Sequence, residues 1–414
     1  MPSEPVISIH EFARSCAAGL KRRRNSVSGA IRQAPTPMPI NTRAPISADK
    51  CGATAKARQP LTATASRSPN MSRPSRPETA PCAARLTPHR RHATGCGCFI
   101  IPTRVLDRFA QDEQLPEAQR KSFADAASIE TEWRKVRSAS QQLMRTAHSV
   151  LPIGMTALAA AAPPVVSVFD CRHGMALPGT PVSDPARADD ETARRTFSET
   201  TAMAEFLRTA FNRNSLDDAG MGLLSSIHFS VGYNNAFWNG VQMTYGDGDG
   251  NIFIDFTHSN DVIAHELTHG LTQFTAGLAY GNQAGGLNES LSDVFGSMFR
   301  QWRAGQSVQQ ADWLIGRDIM GPGALARGYT CLRDLSNPGA QHCLSPQPAH
   351  FDQYRNGMDP HDSSGIPNQA FYLAAMAIGG RSWEKAGRIW YHALTGYRPS
   401  PNLSMRSFAN RTRS

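Results

Sequence analysis

The chain has 414 residues, 40% of them hydrophobic and 19% charged, which is length and apolar content for two to three folded domains and excludes a wholly disordered polymer. The formal net charge of +9 is uneven: residues 1–95 hold 16 Lys and Arg against four acids, and the remainder is mildly acidic. Basicity therefore belongs to one end and gives no reason to expect a nucleic-acid or membrane partner for the rest.

In chain order, residues 1–95 carry a single aromatic, Phe12, among Pro, Ser, Thr, Arg and Ala. That composition cannot bury enough apolar surface to offset the entropy of ordering, so a disordered basic extension is expected. It lacks the aromatic interleaving and folded recognition element that nucleic-acid binding would call for. No basic-then-apolar leader opens the chain; "KRRR" at 21–24 leads nowhere hydrophobic. The expectation is a cytoplasmic protein or one exported by an unconventional route.

Residues 102–147 have the composition and period of helix. "VLPIGMTALAAAAPPVVSVF" (150–169) is the one long apolar run, but its three prolines and mid-chain position argue for a linker and against a membrane span. A helix over "ETARRTFSETTAMAEFLRTAFN" and then strands are predicted up to about 258, and mainly helix from there on. "YGDGDGN" (245–251) begins like a calcium loop but lacks the downstream glutamate. Between "VQMTY" and "IFIDF" it predicts a hairpin turn. Eight cysteines are scattered without a disulfide framework, although Cys331 and Cys343 flank one loop and could pair in an oxidising compartment.

The chemistry concentrates in "DVIAHELTHGLTQFTAGLAYGNQAGGLNESLSD" (261–293). On a helix, His265 and His269 lie one turn apart on one face, so both imidazoles can reach one metal ion, with Glu266 at the edge of that face. A catalytic zinc site needs a third protein ligand and an open fourth position. Glu289, on a second predicted helix after a loop containing Gly285-Gly286, supplies the ligand, and Asp293 one turn later can orient an imidazole.

These residues resemble the thermolysin family of zinc metallopeptidases, and within it the protealysin-like branch. "NNAFWNGVQMTYGDGDG" (234–250), the 261–297 segment and "HDSSGIPNQAFYLAA" (361–375) stand in the family's order and spacing. The resemblance covers about residues 165–397, with weaker similarity to the branch's short propeptide from about 96. Behind the basic extension (1–95), which it does not cover, it implies an α+β, two-domain peptidase fold: a helical propeptide (96–164), a β-rich catalytic lobe (165–258) and a helical lobe (259–414), with the zinc helix at the junction. His265, His269 and Glu289 would bind one Zn2+, and Glu266 would be the general base. Tyr280 and His361 would hydrogen-bond the developing oxyanion. Asn235 and the Ala236 backbone would hold the substrate main chain, and Arg333 the carbonyl after the scissile bond. Asp293 would orient His265 and Asn288 would support His269. Phe253, Phe256, Val262, Ile315 and Leu332 would line an apolar pocket, so that peptide bonds are cut before large apolar residues.

Three departures from the family pattern stand out. Relatives orient the histidine at 361 with an aspartate five residues upstream; here that position is Asn356, and either Asp359 takes over or His361 is less well held. The acids of the family's calcium pair are replaced in part, the matching positions being Asp261, Arg300, Asp312, Leu314 and Arg317. Calcium wants six to eight oxygens, so the double site is expected to be absent, with Arg300 and Arg317 paired to Asp261 and Asp312 by bidentate contacts. Finally, "GCGCFIIPTRVL" (95–106) opens the propeptide-like region, and a thiolate is a good zinc ligand. The segment is expected to enter the cleft, with Cys96 or Cys98 either capping the metal or serving as an ordinary cysteine.

The expected protein is a monomeric zinc endopeptidase acting on proteins or peptides, made as a precursor restrained by its own propeptide. The alternative is a catalytically impaired, peptide-binding relative, because "YRPSPNLSMRSFANRTRS" stops where relatives continue into a further helix.

Overall fold

The structure, a computed structural model, describes residues 98–147 and 162–414, with the backbone alone for 134–147. The basic extension, Cys96 and most of the expected linker lie outside the described residues.

The N-terminal segment enters as strand β1 (Cys98–Phe99) and continues into helices α1 (Thr103–Ala110) and α2 (Glu117–Ala147). Val105, Leu106 and Phe109 form the buried stripe of α1, the i, i+1, i+4 spacing of one helix face. The next elements are β2 (Val166–Asp170), β3 (Thr180–Pro181), α3 (Glu191–Phe211), β4 (Leu223–Ile227), β5 (Ala236–Trp238) and β6 (Met243–Tyr245). Helix α3 starts where the Asp190 carboxylate accepts from the Thr192 amide and stops at Asn212 in the left-handed region, as cap chemistry favours.

The sheet order is β1-β5-β6-β4-β2-β3. Its central pairs β2·β4 and β4·β6 are parallel, and β5·β6 and β1·β5 antiparallel. Without β1, strand β5 would be an edge with unpaired backbone groups. The N-terminal segment covers that edge, as an added peptide strand does.

The expected hairpin through "YGDGDGN" does not form. Residues after β6 leave the sheet because the Asp249 carboxylate accepts from the Ile252 and Phe253 amides (3.0 and 2.9 Å), and Phe253 bridges to Met320.

Helices dominate the remainder: α4 (Asn260–Gln273), α5 (Asn282–Ala304), β7 (Leu314–Ile315), α6 (Pro322–Ala326), β8 (Arg333–Asp334), α7 (Pro360–Ser363), α8 (Gly365–Ile378), α9 (Ala386–Thr395) and α10 (Met405–Arg411). Helix α4 is buried from Asp261 to Gln273, so it runs through the core. Gly285 and Gly286, expected in a loop, lie inside α5. Their lack of side chains admits α7: a Cβ on Gly285 would sit 2.8 Å from Pro360 Cγ, and one on Gly286 2.4 Å from Ser363 Oγ. The last residues fold back, with Phe408 of α10 against Trp390 (ring centroids 6.3 Å). No helix among the described residues is long and apolar enough to cross a membrane.

Candidate active site

Helices α4 and α5 pack side by side and bring the sequence-predicted metal ligands to one point. His265 and His269 project from α4; Asn288, Glu289, Ser292 and Asp293 share a face of α5. The two Nε2 atoms are 3.0 Å apart. Glu289 lies 3.4 Å from His265 Nε2 through Oε2 and 3.6 Å from His269 Nε2 through Oε1. Each ring is fixed from behind: Asp293 Oδ1 is 2.9 Å from His265 Nδ1, and Asn288 Oδ1 is 3.0 Å from His269 Nδ1. With Nδ1–H donated to these partners, both Nε2 atoms present lone pairs to the same spot.

That arrangement calls for a cation. Burial opposes charge on His265, but Asp293 and Glu289 outweigh it and lift the imidazole to about 9. Burial drives His269 down to about 3. One positive charge is wanted where three ligand atoms meet, and two imidazoles with a carboxylate are the donor set zinc takes. Glu289 Oε2 and both oxygens of Glu266 are buried and have no hydrogen-bond partner, a cost that a bound ion and its water would relieve.

Around this knot sit the other expected residues. His361, on α7, is fully buried, and its Nδ1 meets Asp359 Oδ1 at 2.7 Å; Asp359, and not Asn356, holds the ring. Burial opposes the imidazolium, yet Glu289 and Asp359 raise His361 to about 9. The Tyr280 hydroxyl donates to Glu289 Oε1 (2.6 Å) and lies 3.3 Å from His361 Nε2. Arg333 on β8 forks onto Asp293 through Nε and Nη2 (2.8 and 2.7 Å). Burial of Asp293 is outweighed by that guanidinium, which holds the carboxylate down to about 2.

The cleft holds the chain's own residues 98–101. Phe99 pairs with Phe237 and Cys98 with Trp238. The Ile100 amide donates to Ala236 O (3.1 Å), and Ile101 exchanges two hydrogen bonds with the Asn235 amide (3.0 and 3.1 Å). Arg333 Nη1 donates to Ile100 O at 3.0 Å, and His361 Nε2 lies 2.5 Å from Phe99 O. Every group expected to grip a substrate backbone thus grips this segment. Phe253, Phe256, Val262, Ile315 and Leu332 are buried in the same apolar cluster as Phe99, Ile100 and Ile101.

Two contributors were not anticipated. Asn368 donates to Asp293 Oδ2 (2.9 Å), and Ser292 Oγ lies 3.1 Å from His269 Nδ1. Ser292 stands one turn after Asn288, so spacing could have nominated it; Asn368 reaches Asp293 from another helix, which no local spacing gives. At the start of α4, Arg300 does not form a bidentate pair with one acid. It spreads over Asp318 (2.7 Å), Asp261 (3.4 Å) and Asp312 (3.9 Å), while Arg317 meets Asp312 (2.7 Å) and Asp318 (3.1 Å). Asp318, absent from the expected set, takes the shortest contact of Arg300 because it sits beside Arg317 on the turn after β7.

A buried His-Glu-x-x-His helix with a glutamate from the next helix, set beside a sheet edge, defines a metallopeptidase of the zinc type. The thermolysin metallopeptidase catalytic-domain model matches residues 187–273 and the α-helical-domain model residues 276–412. The chain belongs to the thermolysin family of metallopeptidases, a family that uses zinc, and to its protealysin-like branch. It is 46% identical over 329 residues to an extracellular metalloprotease of Pectobacterium carotovorum subsp. carotovorum, covering 76% of this chain and 89% of that one. It is 40% identical over 259 residues to protease PrtS of Photorhabdus sp. (strain Az29), covering 59% and 69%. The solved precursor of protealysin, a metalloproteinase from Serratia proteamaculans, matches with a TM-score of 0.62 at 37% identity, over 76% of this chain and 92% of that one.

Proposed function

We propose that this metallopeptidase is a zinc endopeptidase that cuts before large apolar residues, using Glu266 as general base, and that residues 98–147 belong to a propeptide which keeps the precursor latent. The observation that carries the reading is the 98–101 segment, strand β1 and the two residues after it, whose Ile100 is held by Ala236 O and Arg333 on either side of its side chain.

When bound to His265, His269 and Glu289, zinc would polarise the peptide carbonyl and lower the pKa of water. Glu266, buried beside the metal ligands, can take the attacking water's proton and pass it to the leaving nitrogen. Charge growing on the carbonyl oxygen meets His361 Nε2–H, with the Tyr280 hydroxyl as second donor; such a donor is worth roughly 3 kcal/mol. Asn235 and Ala236 hold the main chain, and Arg333 the carbonyl beyond the bond. A charged side chain after the cut would have to desolvate without a partner. The Arg300 cluster, in this reading, supplies the positive charge that a calcium pair would otherwise bring to Asp261 and Asp312.

The test is casein hydrolysis by the purified chain, with and without chelator, alongside zinc content and Glu266→Ala. Cleavage that needs stoichiometric zinc and Glu266, with products beginning at Leu, Phe or Ile, is expected. Stoichiometric zinc without casein cleavage or loss of the N-terminal segment would replace this reading by a peptide-binding one. Cuts mainly before Lys or Asp would overturn the pocket assignment.

A further inference from the structure

The strand in the cleft raises a difficulty. Its Phe99–Ile100 bond lies where a substrate bond would lie, with Phe99 O on His361 and Ile100 O on Arg333. A bond so placed ought to be cut, yet the segment is the one that covers the site. Blocking the substrate positions does not explain this, because a good pseudo-substrate is also a good substrate.

The residue before the bond offers an answer. Cys98 is fully buried, and its pairing with Trp238 fixes its backbone. The Cys98 sulfur and the ligand atoms of His269 and Glu289 all lie within 4.8 Å of one another, and His265 Nε2 is 3.0 Å from His269 Nε2. In a tetrahedral site with Zn–S about 2.3 Å and Zn–N about 2.0 Å, neighbouring ligand atoms stand roughly 3.5 Å apart. Glu289 Oε2 and both Glu266 oxygens are buried without hydrogen-bond partners.

We propose that the Cys98 thiolate is the fourth zinc ligand of the precursor, closing the position where water would otherwise sit. This rests on the zinc-peptidase reading above. Two imidazoles, a carboxylate and a thiolate make a closed four-coordinate site of the structural kind, which has no open position for chemistry. The thiol releases its proton to solvent on ligation, as any cysteine ligand does. The Phe99–Ile100 bond survives because no nucleophile is generated beside it. Activation then requires the sulfur to leave the metal, by withdrawal of the strand or by modification of the thiol.

The test uses the full-length chain carrying Glu266→Gln, which keeps it from cutting itself, loaded with zinc or cobalt. One sulfur at about 2.3 Å in the zinc X-ray absorption spectrum is expected, with a sulfur-to-metal charge-transfer band in the cobalt form. Both should vanish in Glu266→Gln with Cys98→Ser while metal stoichiometry stays at one. A stoichiometric metal ringed only by nitrogen and oxygen overturns the cap and leaves the peptidase site standing, as does a sulfur signal that survives Cys98→Ser. A chain that binds no metal overturns both readings. With Glu266 intact, Cys98→Ser should shorten the lag before self-processing by at least about tenfold; an unchanged lag overturns the cap.

Discussion

At the start of α4, Asp261 is fully buried beside Arg300, whose guanidinium also reaches Asp312 and Asp318. One to two turns further along the same helix, His265, Glu266 and His269 are just as deeply buried, beside Glu289 and Asp293. In the first cluster the protein provides the cation. Asp261 accepts from Ser259 Oγ (2.6 Å) and faces the Gly316 amide, and although burial raises its carboxyl, Arg300 pulls the other way. In the second, both Glu266 oxygens and Glu289 Oε2 are buried without a hydrogen-bond partner, and the two imidazole Nε2 atoms face each other at 3.0 Å. The contrast shows how a metal requirement is written in a fold: by donors that the chain itself declines to match.

The sharpest way to break the comparison is at Glu266, which makes no hydrogen bond that folding would miss. Glu266→Gln should cut peptidase turnover by about a thousandfold or more with zinc content and melting temperature near wild type. A large loss of stability would mean that the residue belongs with the matched charges instead. Asp293 straddles both kinds of chemistry, holding His265 on one side and Arg333 on the other. Asp293→Ala strands a buried guanidinium, so a loss of about 3–5 kcal/mol in chemical denaturation is expected. Zinc affinity should also weaken by about 10–100-fold; unchanged affinity would separate Asp293 from the metal site.

Arg300→Ala tests the other end of α4. It leaves Asp261 buried without its cation, but Asp312 and Asp318 can turn to water, so about 2–3 kcal/mol is expected. The wild-type melting temperature should not respond to millimolar calcium. A saturable rise would show that an ion, not Arg300, is the natural partner there.

The smallest effect concerns a matched cluster nearer the surface. His228 lies between Asp247 (2.8 Å) and Asp190 (2.9 Å). The Asp247 hydrogen bond outweighs burial, and with Asp190 it raises the imidazole from 6.5 to about 9. The folded state therefore holds a proton that the unfolded state gives up, so this stabilisation is complete below about pH 6.5 and lost as pH rises through about 9. Urea melts of wild type and His228→Gln should converge over that window. Parallel curves from pH 6 to 9 would remove His228 from the matched set.

How legible the site was depended on the range of the interactions. His265, Glu266 and His269 are one helical turn, and Glu289 and Asp293 another, so i, i+3 and i+4 geometry sufficed to read them. With Asn356 at the family's aspartate position, either Asp359 takes over or His361 is less well held, because the outcome depends on a turn whose path sequence spacing does not define; the α7 cap places Asp359 on the ring. Gly285-Gly286 looked like a loop, since glycine pairs disfavour helix locally; close approach of Pro360 and Ser363 overrides that preference. "IFIDF" looked like a strand because its composition is that of one, and Asp249 capping the Ile252 and Phe253 amides turns the chain away.

By itself the amino-acid sequence determined the metal-ligand helices, their spacing and the family, because those depend on local backbone geometry and on residue chemistry at fixed intervals. Tertiary structure decided that β1 completes the sheet edge at β5, that the segment expected in the cleft runs along Asn235, Arg333 and His361, and that the Cys98 sulfur comes within 4.8 Å of the His269 and Glu289 ligand atoms. These are contacts between segments more than 100 residues apart. Their formation depends on which edge is left unpaired and which donors are left unmatched once everything else has packed, and no local pattern in the chain encodes that.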